Sequence, residues 1–276
     1  MIIDCHVHSR GTESADGILR AMDQAGVEKM CLFSPYASAG VDVLGGGAFG
    51  ADEEGMHGAV EWLGKVVAQA PDRIIGFAWI DARWPSAMQA LERAVELGIR
   101  GVKSIPNHWY PTDDCALALF AKMEELGVPG IFHSGILFGF ADGSRFCRPV
   151  FYEALINYPG VKFALSHISW PWVDECLAVA GRFWAAIRGG DREMQMFIDL
   201  TPGTPRIWRA EALRKALVYL GDERLIYGSD VYPADDSERL RASVQRDIAL
   251  FREELGLSSE AIEHIMSGNV LRMLGE

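Results

Sequence analysis

The chain opens Met1-Ile-Ile-Asp-Cys-His-Val-His8, and the reading of these eight residues decides the fold. Ile2 and Ile3 start an apolar strand that delivers His6 and His8 at its C-terminal end. Residues two apart on a strand share a face, so both imidazoles point one way while Cys5 and Val7 point the other. Two imidazoles on one face are half of a metal site. A pair of surface histidines near a terminus would read the same in isolation. The rest of the chain decides between these readings by supplying ligand types at the ends of other strands.

Downstream, Glu13 to Gly26 carries Ile18, Leu19, Met22 and Ala25 at helical spacing and stops at a glycine. Val27 to Phe33 is the next apolar run, which completes a strand, a helix and a strand. The pattern recurs. Strands are expected at Ile74 to Ile80, Ile99 to Ile105, Val128 to His133, Val161 to His167, Met196 to Leu200 and Leu225 to Asp230. Helices are expected at Ser86 to Leu97, Asp114 to Leu126, Pro149 to Tyr158, Pro171 to Ile187 and Pro205 to Leu220. Eight apolar strands alternating with helices imply an α/β protein whose simplest architecture is a single closed (β/α)8 TIM barrel spanning residues 1–276. An open doubly wound sheet is the alternative, and chemistry gathered from many strand ends on one face separates the two.

The longest loop, Ser34 to about Asp52, contains Gly45, Gly47 and Gly50 in the spacing G-x-G-x-x-G. These glycines do not directly follow a strand and lead into Asp52, Glu53 and Glu54, which would repel a pyrophosphate. A flap over the barrel mouth is the expectation. Composition narrows the classes further. Hydrophobic content of 49% and charged content of 23% are those of a globular protein, and no apolar run is long enough to span a membrane. Five cysteines without a C-x-x-C pair argue for a reduced compartment, and a fold beginning at Ile2 leaves no room for a removable leader, so a cytoplasmic protein is expected. The net charge of −12 disfavours nucleic acid and anionic membranes as partners.

Histidine is scarce, seven in all, yet four fall at strand ends: His6, His8, His133 and His167. The eighth strand ends in Tyr227-Gly-Ser-Asp230. Imidazoles plus a carboxylate suit a divalent metal with one open position, which is a catalytic arrangement. Ile3-Asp-Cys-His-Val-His8, Phe132-His-Ser-Gly135, Leu165-Ser-His167, Ile226-Tyr-Gly-Ser-Asp-Val-Tyr-Pro233 and Ser267-Gly-Asn-Val-Leu-Arg-Met-Leu274 together resemble the amidohydrolase superfamily. More narrowly, they resemble its amidohydrolase-related group, which includes aminocarboxymuconate-semialdehyde decarboxylase-like barrels. The resemblance implies one divalent metal ion, zinc with manganese or iron as alternatives, on His6, His8, His133 and Asp230. It implies His167 as a partner or fifth ligand, with Asp230 and His167 as the catalytic pair. Lys103 stands on the fourth strand, where many superfamily members carry a carboxylated bridging lysine. The related group works with one metal, so Lys103 is read as a charge in the pocket.

The expected substrate is a small molecule, with Lys103, Arg145 and Arg148 offered to a carboxylate and Trp109 and Trp170 as walls for a planar group. Trp172 and Tyr110 follow the same strands. The main expectation is a metal-dependent hydrolase of a small carboxylic ester, lactone or amide using a metal-activated water. The alternative is a non-oxidative decarboxylase or hydratase of a small unsaturated or aromatic carboxylic acid on the same metal site. A deoxyribonuclease of the TatD type also opens with two histidines, but expects a glutamate near the fourth strand, where this chain reads Ile99-Arg-Gly-Val-Lys-Ser-Ile-Pro106. A homodimer is the commonest assembly for such a chain.

Overall fold

Eight strands pair in parallel in chain order: β1 (Ile3–Val7), β2 (Lys29–Phe33), β3 (Ile74–Trp79), β4 (Gly101–Ser104), β5 (Gly130–Phe132), β6 (Phe163–Leu165), β7 (Met196–Asp199) and β8 (Leu225–Ile226). The last meets the first. Cys5 N donates to Tyr227 O at 3.0 Å, Asp230 N to His6 O at 2.9 Å and His8 N to Val231 O at 2.9 Å. Val7 also bridges Val231 in parallel. The sheet is therefore the expected (β/α)8 barrel and not an open doubly wound sheet. The structure is a computed structural model and describes residues 1–36, 48–50, 52–138, 140–187, 193–233 and 237–276. Most of the expected flap, with Gly45 and Gly47, lies outside the described residues.

Local chemistry sets the element ends. Helix α1 (Ala15–Ala25) starts where the Ser14 side chain accepts from Gly17 N and stops at Gly26, whose φ of 72° is left-handed. Helix α2 (Glu53–Gln69), which the strand-by-strand reading passed over, is capped by Asp52 on Gly55 N at 2.8 Å. Helices α3 (Ala87–Glu96), α4 (Asp114–Leu126), α5 (Val173–Ala186) and α6 (Arg206–Leu220) follow within two residues of expectation. Helix α7 (Ser237–Ala249) and the short α8 (Ser259–Glu263) and α9 (Asn269–Leu274) complete the order. The segment expected as a helix from Pro149 to Tyr158 is instead a 3₁₀ run, Pro149–Asn157. Its buried residues, Pro149, Tyr152 and Leu155, recur every third position, which is the spacing that three residues per turn align on one face.

Two apolar layers result. Side chains from most of the strands, Ile3, Cys31, Ile75, Ile131, Phe197 and Ile226 among them, fill the barrel, and Val270 and Met273 of α9 plug its N-terminal end. Asn269 holds that plug, donating from Nδ2 to Asp222 O at 2.6 Å and to Leu225 O at 2.8 Å. This accounts for the closing Ser267-Gly-Asn motif in structural terms. The outer layer joins strand residues such as Val102 and Leu165 to the helices. Among the described residues no helix is long and apolar enough to cross a membrane.

One expectation in β1 is corrected. Cys5 does not share the outer face with Val7: Cys5 packs inside the barrel with Ile3, whereas Val7 packs in the outer layer. The register shifts between Asp4 and Val7. Asp4 holds the irregularity, its Oδ1 accepting from His6 N at 3.1 Å and from Ser229 N at 2.9 Å. An irregularity of this kind re-aims side chains at a strand end, here the histidines.

Candidate metal centre

His6, His8, Lys103, His133, His167 and Asp230 converge on one cavity of about 310 Å³ at the C-terminal mouth of the barrel. Each arrives from a different strand end except the first two. His6 lies within β1, Lys103 within β4, and His133 directly follows β5. His167 and Asp230 lie beyond β6 and β8, in backbone that leaves the strand path: φ is 61° at His167 and 60° at Asp230. Ile168 and Ser169 are also left-handed, at 47° and 55°. Such conformations cost on the order of 1–3 kcal/mol each in residues other than glycine, and they recur at functional sites.

The tightest donor group is His6, His167 and Asp230, with one ligand atom of each within 4.8 Å of the others. His6 Nδ1 meets Asp199 Oδ2 at 2.6 Å, and its Nε2 lies 3.4 Å from Asp230 Oδ1. A metal-binding imidazole commonly gives its second nitrogen to a carboxylate in this way, which fixes the tautomer and frees the other nitrogen as a donor. His167 is held similarly, Nδ1 to Thr201 Oγ1 at 3.0 Å. Thr201 N in turn donates to Asp199 Oδ1 at 2.8 Å, so one carboxylate organises both histidines. His8 Nε2 sits 3.0 Å from Asp230 Oδ1, and the His133 ring lies 4.9 Å from that of His167 between centroids. His133 Nε2 also lies 3.3 Å from Ile136 O.

Electrostatics agree with a cation site. Burial and the neighbouring Lys103 charge lower His6 to about 3, against the pull of Asp199. Burial lowers His133 and His167 too, so neutral imidazoles with free lone pairs face the cavity at neutral pH. Burial works to raise Asp230, but the His8 hydrogen bond and the surrounding histidines hold it well below the usual carboxylate range. Burial likewise works to raise Asp199, and His6 brings it down to about 2. Lys103 is lowered by burial to about 8, with Asp199 and Asp230 opposing, and remains a cation at neutral pH. Neutral imidazoles, an ionised carboxylate and a supporting carboxylate are the donor chemistry a divalent ion takes, and the residues present fit one.

Of the residues expected to touch substrate, Lys103 alone lines the cavity. Arg148 is exposed and bound to Glu175, and Arg145 pairs with Asp142 at 2.9 Å. Trp109 is buried in the outer layer, and Trp170 stacks on Trp208 outside the cavity. The cavity wall is instead built by Ile105, Ile136, Leu137 and Phe138, with Tyr232 and Arg239 from the end of the barrel. Asp199 and Thr201 escaped the sequence reading. Their one signal is an acid that ends an apolar strand, Met196-Phe-Ile-Asp199, at the same level as the histidines.

A parallel eight-stranded barrel with a histidine and aspartate cluster at its C-terminal mouth defines the class, a barrel protein with a candidate site for a divalent metal. The amidohydrolase family (Amidohydro_2) matches residues 3–275, and the chain belongs to it. No curated protein matches the sequence. Among solved structures, the chain is similar to 5-carboxyvanillate decarboxylase LigW from Sphingomonas paucimobilis, at 17% identity and a TM-score of 0.68 over 99% of this chain and 98% of that one. It is similar to a dihydroxybenzoic acid decarboxylase from Polaromonas sp. JS666 with bound manganese and the inhibitor 2-nitroresorcinol, at 18% identity and 0.67 over 99% and 96%. A probable 2-pyrone-4,6-dicarboxylic acid hydrolase from Acinetobacter baumannii, with citric acid bound, matches at 16% identity and 0.65 over 100% and 99%.

Proposed function

We propose that this chain is a metal-dependent, non-oxidative decarboxylase of a small aromatic carboxylic acid. The weight thus moves from the hydrolase expected first to its alternative. The observation that carries the reading is the placing, on one cavity with the histidine and aspartate cluster, of a buried ammonium, Lys103. Lys103 is 2% exposed and charged at neutral pH, a counter-ion for a carboxylate taken out of water. The cavity of about 310 Å³ is at the small end of the roughly 300–1,000 Å³ typical of ligand sites, which suits a single ring. Two of the similar structures are decarboxylases of hydroxylated aromatic acids, and one of them holds manganese.

His6, His167 and Asp230 would hold the ion, with His8 and His133 beside them, and manganese or zinc suits these donors. Such an ion would supply Lewis acidity to a bound acid. The protein's own groups account for the rest. Lys103 pairs with the carboxylate, and Ile105, Ile136 and Leu137 exclude water from the ring. Loss of CO2 requires one proton on the ring carbon that bears the carboxylate. That carbon gains the proton, the carbon–carboxylate bond breaks, and the bonding pair stays on the ring. The His8–Asp230 pair, with His8 Nε2 3.0 Å from Asp230 Oδ1 on the same cavity, is the proposed source of that proton.

The test loads the protein with manganese or with zinc and offers carboxyl-labelled hydroxybenzoates beside pyrone lactones and simple esters. Labelled CO2 is expected from the acids, abolished by chelation and by Asp230→Asn. Ring opening of the lactones without CO2 from any acid would overturn the proposal in favour of hydrolysis.

A further inference from the structure

Leu200 directly follows β7, and its amide donates to Ile226 O at 2.9 Å, which ties it to β8. Its carbonyl is held from outside the barrel. Arg209 of α6, 7% exposed, donates from Nη2 to Leu200 O at 2.8 Å and to Asp247 Oδ2 at 2.9 Å. Asp247 of α7 is fully buried, and Arg246 Nε donates to its second oxygen at 3.1 Å, so this carboxylate is fixed at both atoms. Arg246 Nη2 in turn reaches Ser243 Oγ at 2.9 Å, and Tyr227 OH donates to the same oxygen at 3.4 Å. A polar chain therefore runs from the end of β7, through two helices, to the residue that opens Tyr227-Gly-Ser-Asp230 at the end of β8.

Stability alone does not account for the Arg209–Asp247 pair. Taking both charges out of water costs much of what their attraction returns, and well-packed apolar residues of similar volume often serve a fold as well or better. What apolar residues cannot supply is a donor aimed at a strand-end carbonyl. The guanidinium supplies one, because its planar fork holds several N–H groups in set directions. The Leu200 carbonyl shares one peptide plane with Thr201 N, and that N–H is the one given to Asp199 Oδ1 at 2.8 Å. The plane is thus gripped at both edges, by Arg209 outside and by Asp199 inside, and a rotation that breaks one bond strains the other. Asp199 meets His6 Nδ1 at 2.6 Å, and Thr201 Oγ1 meets His167 Nδ1 at 3.0 Å. We infer that Arg209 is a positioning residue of the metal centre: by holding the Leu200–Thr201 peptide it sets Asp199 against His6 and Thr201 against His167. This role rests on the metal centre proposed above and not on which reaction follows there.

Arg209→Met combined with Asp247→Leu tests it, because neither member of the pair is left behind as a lone buried charge. The double variant should melt within a few degrees of the unaltered protein yet bind manganese about tenfold more weakly by calorimetric titration, the smaller of the losses typical when the support of a ligand is altered. The metal-free protein gives a second reading. Nitrogen-15 shifts of the His167 ring should report one fixed tautomer in the unaltered protein and an average of two in the variant. A lower melting temperature with the His167 shifts and the manganese affinity unchanged is what a merely structural pair gives, and it would overturn the inference. Arg209→Lys guards against a double variant that does not fold. Its ammonium keeps a charge against Asp247 but has no fork to hold Leu200 O as well, so it should fold and show the same change at His167; a retained tautomer with full affinity would again overturn the inference. Failure of the unaltered protein to bind manganese would count against the metal centre instead, and the metal-free shifts would still decide the role of Arg209.

Discussion

Gly203→Ala probes how closely the second histidine is held. A methyl at Gly203 would stand 2.7 Å from His167 Cβ, 2.8 Å from its Cγ and 3.0 Å from Nδ1. Ordinary carbon–carbon contact begins at about 3.5 Å, so one group must yield by roughly 0.8 Å. Gly203 is not among the glycines with positive φ, and an alanine backbone is unstrained there. The whole penalty therefore falls on His167. That residue has little room to give, being seated on three consecutive left-handed residues and bonded through Nδ1 to Thr201. Overpacking of this size costs about 1–3 kcal/mol of stability, and disturbing a ligand's support typically costs 10–100-fold in metal affinity. Calorimetric titration with manganese, together with a thermal melt, reads both. Gly160→Ala serves as the control, because its methyl meets only the flexible Glu124 side chain at 3.0 Å. If Gly203→Ala binds manganese and melts as the unaltered protein does, the packing account of His167 is wrong.

Asp4→Asn should change how stability depends on pH. Burial raises Asp4 to about 7 in the folded chain, so the folded state keeps a proton that the unfolded state releases, and stability is lost as pH rises from about 4 to 7. His6 works in the opposite sense: lowered to about 3, it stays neutral while the unfolded imidazole charges below about 6.5, and stability is lost as pH falls. The two oppose one another between about pH 4 and 6.5. Removing the Asp4 titration should steepen the loss on acidification by up to ~1.4 kcal/mol per pH unit, and parallel urea-unfolding curves for the two metal-free proteins would contradict it. Lys103→Met should abolish turnover yet raise stability. The ammonium is depressed from 10.5 to about 8, a cost of folding fully present below pH 8; relieving it is worth on the order of 3 kcal/mol at pH 7, and a lower melting temperature in the variant would refute this.

How much of this was legible in the sequence depends on how far apart the interacting residues lie. The barrel was readable because its signals are local: runs of apolar residues a few positions long, with glycine and serine at the helix ends. The histidines and Asp230 were readable for the same reason, since each closes an apolar run. Cys5 was misplaced by strict alternation, because an irregularity held by Asp4 depends on Ser229, which is 225 residues away. Asp199 could not be separated from an ordinary strand-ending acid, since its bond to His6 crosses 193 residues. Arg145 and Arg148 looked like carboxylate ligands for want of any sign that Asp142 and Glu175 already occupy them. Charge type is written in the chain, but the partner that spends the charge is chosen by the fold. Lys103 shows the same rule from the other side. Placed on a strand whose inward face leads to the mouth, with Ser166 and His6 each at 3.3 Å, it has no carboxylate within bonding reach among its hydrogen-bond partners. Its charge is thus not taken up by a carboxylate among these partners, and this, more than its residue type, separates it from the two surface arginines.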